Sequence, residues 1–270
     1  MGKLNFSFFS NRWGSGTIQG KQISEKLGAK LEPESDYEND VCIFVKRTPF
    51  VPFPKHSYLD VIDNVGFLRW LKDNPTMGVI TFTKPSQHRA MEYLNRSDIV
   101  YIPQHHCNFE RKLRPSREVK TVGFIGSKTI LGYDIEEAKK LFSDIGLNLT
   151  YVLYPSSRRG VVHFYKSIDI QICFRPAMKY YNFKDSLKIV NAGSYGIPTV
   201  AFPETNNELE FKNCYVPVRS FYELVAKCWE LKNDLTFYNG IAKNVLAKAE
   251  PYHIDTIISY YYKLGKENEV

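Results

Sequence analysis

Residues 184–208 read K-D-S-L-K-I-V-N-A-G-S-Y-G-I-P-T-V-A-F-P-E-T-N-N-E, and this stretch decides the fold class. Its first part has the spacing of a helix. Lys184, Lys188 and Asn191 fall at i, i+4 and i+7, on one face. Ala192, Gly193, Ser194 and Gly196 are small enough to let that helix approach other backbone closely. Ile197–Phe202 is an apolar run that reads as a buried strand, ending at Pro203-Glu204 and followed by a polar loop. Cations and an amide on a helix beside the carboxyl end of a buried strand suit an anionic, ribose-bearing ligand.

Upstream of this stretch the second half alternates strands and helices. Thr121–Ile125 reads as a strand running into Gly126-Ser127-Lys128, and Asp134–Ile145 as a helix. Leu147–Leu153 is a strand, Arg159–Lys166 a helix, and Asp169–Phe174 a strand ending at Arg175. Downstream, Cys214–Val218 reads as a last strand. Ser220 has N-cap chemistry for a helix over Phe221–Lys232, with Glu223 three residues on. The tail from Leu235 to Leu264 is mostly helical and broken at Pro251.

The first half has the same rhythm. Leu4–Ser10, Asp40–Lys46, Tyr58–Ile62, Gly78–Phe82 and Asp98–Ile102 read as strands; Ile18–Leu27, Phe67–Lys72 and Ser86–Leu94 read as helices. This is the pattern of parallel sheets covered by helices. Asn108–Lys120 is polar, basic and interrupted by Pro115, the composition of a linker. The expectation is an α/β protein of two Rossmann-like βαβ domains facing a cleft: 1–115, 116–250, and a C-terminal helical segment 251–270 packing back on the first domain.

On these residues the second half resembles the nucleotide-sugar-binding domain of GT-B glycosyltransferases, in particular enzymes like those of glycosyltransferase family 4. Val122–Ser127, Asp169–Arg175 and above all Lys184–Glu208 carry the resemblance: a helix, then G-x-P-x-V-A, then an acidic residue. It covers about half the chain with specific residues; in the first half it is architectural. One departure stands out. Many retaining members carry two glutamates eight residues apart, where this chain has Phe183 and Asn191. The stretch is more similar to a subgroup whose helix reads K-x-x-x-K-x-x-N.

The resemblance implies transfer of a sugar from a nucleoside diphosphate sugar to an acceptor hydroxyl, with retention and without a metal or a tightly bound cofactor. Charge grows on the departing diphosphate, and preorganised cations and helix N-terminal amides stabilise it. Lys188 and Lys184 are the candidate cations, with Asn191 donating from its amide. A plain solvated lysine face is the competing reading. Glu208 stands where the family places a ribose-binding carboxylate; Glu204 and Glu210 compete for that role. Gly126 and Ser127 suit close approach of backbone to phosphate or donor sugar. Arg175 closes a strand at a ligand edge. Gly14 and Ser15, in the Gly14-Ser15-Gly16-Thr17 turn after the first strand, are candidates near acceptor and phosphates. This turn is neither G-x-G-x-x-G nor a Walker loop. Asp60, Asp63, His88, His105 and His106 are candidate acceptor-side bases, with Asp63 and His105 preferred. Asn206 and Asn207 suit contacts to the donor sugar or a turn. Trp13, Tyr180, Tyr181 and the Tyr260–Tyr262 run could stack on sugars or bases.

Bulk composition narrows the field. The 270 residues carry 36 Lys+Arg against 29 Asp+Glu, a formal charge of +7. Residues 1–115 hold 16 basic against 12 acidic, the remainder 20 against 17. The excess is spread along the chain, which suits an anionic substrate or surface but lacks the basic stripe of a nucleic-acid binder. Five scattered cysteines without a CxxC pair suit reduced thiols in a cytoplasmic protein, peripheral at most to an anionic surface. No apolar run reaches the ~20 residues of a membrane span. The N-terminus reads as a strand, not a signal peptide, and Ser7 stands one place too late for the usual myristoylation pattern. Glycan, lipid-linked and nucleic-acid acceptors all fit. Two alternatives stay open: sugar transfer to a hydroxymethylated base in DNA, and a non-catalytic protein of this fold binding nucleotide or glycan.

Overall fold

The computed structural model describes residues 5–10, 14–62, 66–127, 131, 133–175 and 184–264. Asp63, Lys128, Trp13, Tyr180 and Tyr181 lie outside them. The chain divides into two compact units, Met1–His105 with Ile254–Val270, and His106–His253.

In the first unit, β1 (Phe6–Ser10) leads into a π-helix (Gly16–Gln22) continued by α1 (Ile23–Leu27) and β2 (Lys30–Leu31). Then come β3 (Val41–Val45), β4 (Ser57–Asp60), α2 (Gly66–Asp73), β5 (Gly78–Thr81), α3 (Lys84–Leu94) and β6 (Ile99–Tyr101). All strand pairs are parallel, in the order β2-β1-β3-β4-β5-β6. Every residue of β3 is buried, as a strand covered on both faces requires. Phe9 stacks on Phe44 at 4.6 Å in the core below α2 and α3. α3 starts on a reciprocal cap, Thr83 and Ser86 each bonding the other's backbone N–H.

The second unit begins with β7 (Thr121–Gly126), α4 (Ile135–Asp144), β8 (Asn148–Leu153), α5 (Arg158–Ser167) and β9 (Ile170–Cys173). It continues with α6 (Leu187–Ser194), β10 (Thr199–Ala201), α7 (Thr205–Glu210), β11 (Val216–Pro217), α8 (Phe221–Asn233) and α9 (Leu235–Ala249). The sheet is parallel, in the order β11-β10-β9-β7-β8. On one face Phe124, Ile172 and Val200 pack with Phe142 of α4 and Leu224 of α8. On the other, Cys173 and Ala201 pack with Ile189 and Val190 of α6 and Val245 of α9. Gly193 is needed there: a Cβ on it would lie 2.4 Å from Val245 Cγ2 and 3.0 Å from its carbonyl oxygen.

α10 (Ile254–Leu264) belongs to the first unit. Tyr261 packs on Phe8, the Tyr58 hydroxyl donates to the Leu264 carbonyl at 3.1 Å, and Lys26 pairs with Asp255 at 2.6 Å.

Three local readings change. The segment 108–120 is not a free linker but part of the second unit. Asn108 Nδ2 donates to the Ser194 carbonyl at 2.7 Å, and Val119 is buried. Arg114 and Arg117 both reach Asp169. The loop after β10 contains the short helix α7. The first-half turn is shorter than read, because helical structure starts at Gly16. All five cysteines are free and buried, and burial pushes the Cys42 and Cys107 thiols up to about 12.

Candidate active site

In the second unit the chain runs one way from β7 to β8 and the other way from β9 to β11. The switch point is therefore between β7 and β9, where open parallel sheets bind ligands at their carboxyl ends. Gly126 ends β7 with φ of 131°, a backbone conformation that side chains resist, and Ser127 follows it. Arg175 stands two residues beyond β9. Its Nε and Nη2 each donate to a different Glu204 oxygen at 2.5 Å, and both side chains are buried. Glu204, proposed above as a ribose ligand, is thus committed to Arg175 and closes the gap between the ends of β9 and β10.

Lys188 lies in the first turn of α6, half-buried, and its ammonium makes no hydrogen bond or ion pair within the described residues. Burial, and then the Arg175 guanidinium, push it below the usual lysine range, against Cys173, Asp185 and Glu204. A cation at a helix N-terminus also opposes the helix dipole. Burial pushes the neighbouring Asp185 carboxyl up, against Lys188 and Lys184. The Ser186 side chain does not cap α6; its hydroxyl donates to Asn207 Oδ1 at 2.7 Å and accepts from Asn206 Nδ2 at 2.9 Å. The Leu187 amide at the start of α6 donates to the Asp185 carboxylate, and the other first-turn amides have no side-chain cap among the described residues. Lys184 precedes the helix, so it does not share a helical face with Lys188. The reason is that residues 184–186 stay non-helical while Ser186 engages α7.

Asn191 faces inward. Its Oδ1 accepts from the Cys107 amide at 2.7 Å, which ties α6 to the start of the second unit. Glu208 is exposed on α7 and accepts from the Tyr215 hydroxyl, itself buried. Glu210 accepts from the Tyr252 hydroxyl at 2.8 Å. The second unit thus gathers Arg175, Glu204, Lys188 and Asp185 at one edge, with Glu208 and Tyr215 on α7 and beside β11. Asp185, Ser186 and Tyr215 were missed by sequence reasoning. Ser186, directly before an apolar helix, was the only one with a readable signal.

In the first unit Gly14 (φ of 54°) turns the chain, its carbonyl accepting from Thr17 and Ile18, and Ser15 precedes the π-helix. His105 is 2% exposed, and its Nε2 donates to the Ile18 carbonyl at 3.0 Å. It holds the π-helix in place and offers little surface to an acceptor. Asp60 is buried and accepts from the Ile62 amide; His88 lies exposed on α3 beside Glu92. His106 belongs to the second unit, its ring edge-on to His253 at 5.2 Å. Among the described residues no three His, Cys, Asp or Glu side chains gather as metal ligands.

Solved structures share the fold of this chain. HepE of Anabaena, crystallised with UDP and glucose, superposes with a TM-score of 0.64 at 12% identity, over 98% of this chain and all of its own. WaaG, a glycosyltransferase of lipopolysaccharide biosynthesis, gives 0.65 at 8% identity, over 99% and 100%. The fold is GT-B. A chain of the GtfA/B complex gives 0.53 at 15% identity over 84% of this chain, which spans only 57% of that one. No protein-family model and no curated protein sequence matches the chain. The GT-B likeness thus rests on structure, at identities where sequence comparison is silent.

Proposed function

We propose that this protein is a glycosyltransferase that takes its sugar from a nucleoside diphosphate sugar and passes it to an acceptor hydroxyl with retention of configuration. The carrying observation is Lys188: a half-buried ammonium with no hydrogen bond or ion pair among the described residues, next to Arg175 and in the first turn of α6. A lysine outside any ion pair of the described residues, in the first turn of a helix and beside the Arg175–Glu204 pair, suits an anionic ligand. A diphosphate fits, and the UDP in the HepE crystal is a diphosphate on the same fold.

In this reading Lys188 and the amides at the start of α6 hold the diphosphate, beside the Arg175–Glu204 pair. Glu208, fixed by Tyr215, accepts the ribose hydroxyls. Gly126 and Ser127 let backbone approach the phosphate or the donor sugar. As the bond from the anomeric carbon to the β-phosphate oxygen breaks, its electrons go to that oxygen, where the Lys188 ammonium stabilises them. The acceptor oxygen bonds to the same carbon, and its proton passes to the leaving phosphate. That proton route suits retention, and it fits a His105 ring already held to the Ile18 carbonyl. Glycan and lipid-linked hydroxyls are the acceptors this reading favours.

The test is nucleoside diphosphate release from UDP-, GDP- and ADP-sugars, with the anomer of the freed or transferred sugar read by NMR. Release from one donor class with the donor's anomer kept is expected. Nucleotide binding with no release from any donor would make this a non-catalytic binder, and the opposite anomer would overturn retention.

A further inference from the structure

The crossover between β3 and β4 has no helix. It is the proline-rich segment 46–56, K-R-T-P-F-V-P-F-P-K-H. Phe53 anchors it, its ring 6.1 Å from Trp70 of α2. Phe50 and Val51, in contrast, are 91% and 68% exposed. Two adjacent apolar side chains held in water by a segment with three prolines are not explained by packing in this unit. Their setting is cationic. Between Asp40 and Asp60 the sequence has Lys46, Arg47 and Lys55 and no acidic residue. Arg47 shares its charge with Glu32 at 2.8 Å; Lys55 is exposed, as are Arg69 and Lys72 on the adjoining α2.

We propose that segment 46–56 docks the first unit on an anionic lipid surface, with Phe50 and Val51 entering the headgroup–acyl boundary and the surrounding cations meeting lipid phosphates. An aromatic and a branched side chain at a loop tip gain by leaving water, and each nearby Lys or Arg adds attraction to an anionic leaflet that salt weakens. A protein partner would need matching acidic side chains around an apolar socket. A bilayer supplies both features without a specific fit. No helix among the described residues is long and apolar enough to cross a membrane, so the contact is peripheral. This inference does not depend on the transferase reading.

The experiment is flotation of the full chain with phosphatidylcholine vesicles, with and without 30 mol% (about a third) phosphatidylglycerol as the anionic lipid. The protein should float with the anionic vesicles only, and less so in high salt. F50S/V51S, both at exposed positions, should lower the partition coefficient by about tenfold or more with no change in unfolding temperature. In a parallel F50W variant, indole emission should shift to the blue and be quenched by brominated acyl chains on the same vesicles. Failure to float, flotation unchanged in F50S/V51S, or an F50W spectrum blind to vesicles would each overturn the proposal. So would self-association of the wild type, without lipid, that F50S/V51S abolishes.

Discussion

Arg175 and Glu204 form a bidentate pair, two bonds of 2.5 Å between buried side chains 29 residues apart. The pair joins the carboxyl ends of β9 and β10 and sets the floor on which the Lys188 ammonium stands. Removing one partner leaves the other charge buried and unmatched. Glu204→Ala is expected to cost about 3–5 kcal/mol of stability in denaturant unfolding. A loss below about 1 kcal/mol would mean that the pair is open to water.

Glu208 is expected to select ribose. If its carboxylate accepts the ribose hydroxyls, Glu208→Ala should weaken nucleotide binding by about tenfold and erase the preference for UDP over 2′-deoxy-UDP. Tyr215→Phe should do the same to a lesser degree, since it removes the hydroxyl that orients the carboxylate. Calorimetric titration of both nucleotides checks this. A preference that survives in Glu208→Ala would move the ribose elsewhere.

Asp169 makes stability depend on pH. It accepts from the Lys120 and Thr121 amides at 2.9 Å and from Arg114 and Arg117. Burial pushes its carboxyl up, but these donors outweigh burial and hold it below the usual range. A depressed carboxyl contributes stability above its unfolded value of about 3.9, and that contribution is lost as pH falls through the folded value. Asp169→Asn should therefore be less stable than wild type by about 2 kcal/mol at pH 7, and the gap should narrow steadily below pH 4. A gap constant with pH in urea titrations would contradict this.

Gly193 makes room for Val245, so Gly193→Ala should destabilise by about 1–3 kcal/mol through overpacking. Val245→Ala on top should recover part of that loss, since the side-chain contact at 2.4 Å disappears while the carbonyl contact at 3.0 Å remains. Melting temperatures of the two single variants and the double variant decide it.

Local patterns were legible where a residue's partners are its neighbours in sequence. Ser220 caps α8 by accepting from the Glu223 amide, as the Ser220…Glu223 spacing predicts. The strand-helix alternation gives both parallel sheets, because fully buried apolar runs such as Val41–Val45 have no other place to go. What stayed hidden depends on long-range pairing. The salt link from Arg175 to Glu204, the turn of Asn191 toward Cys107, and the tie from His105 to Ile18 join residues 29, 84 and 87 positions apart. Each removes a side chain that sequence reasoning assigned to a ligand. Lys184 lies outside the helix for the same kind of reason, the engagement of Ser186 with Asn206 and Asn207 across 20 and 21 residues.

The central claim is that Lys188 waits for a diphosphate, and one comparison tests it most directly: melting temperature with and without UDP, GDP and ADP, for wild type and Lys188→Met. Because burial and Arg175 both disfavour the ammonium, Lys188→Met alone should melt at or above the wild-type temperature. A nucleotide that binds the folded state raises the wild-type temperature. The prediction is a rise with one of the three diphosphates that Lys188→Met loses, its affinity down by about tenfold or more. No rise with any of them in the wild type, or an equal rise in Lys188→Met, would contradict the account.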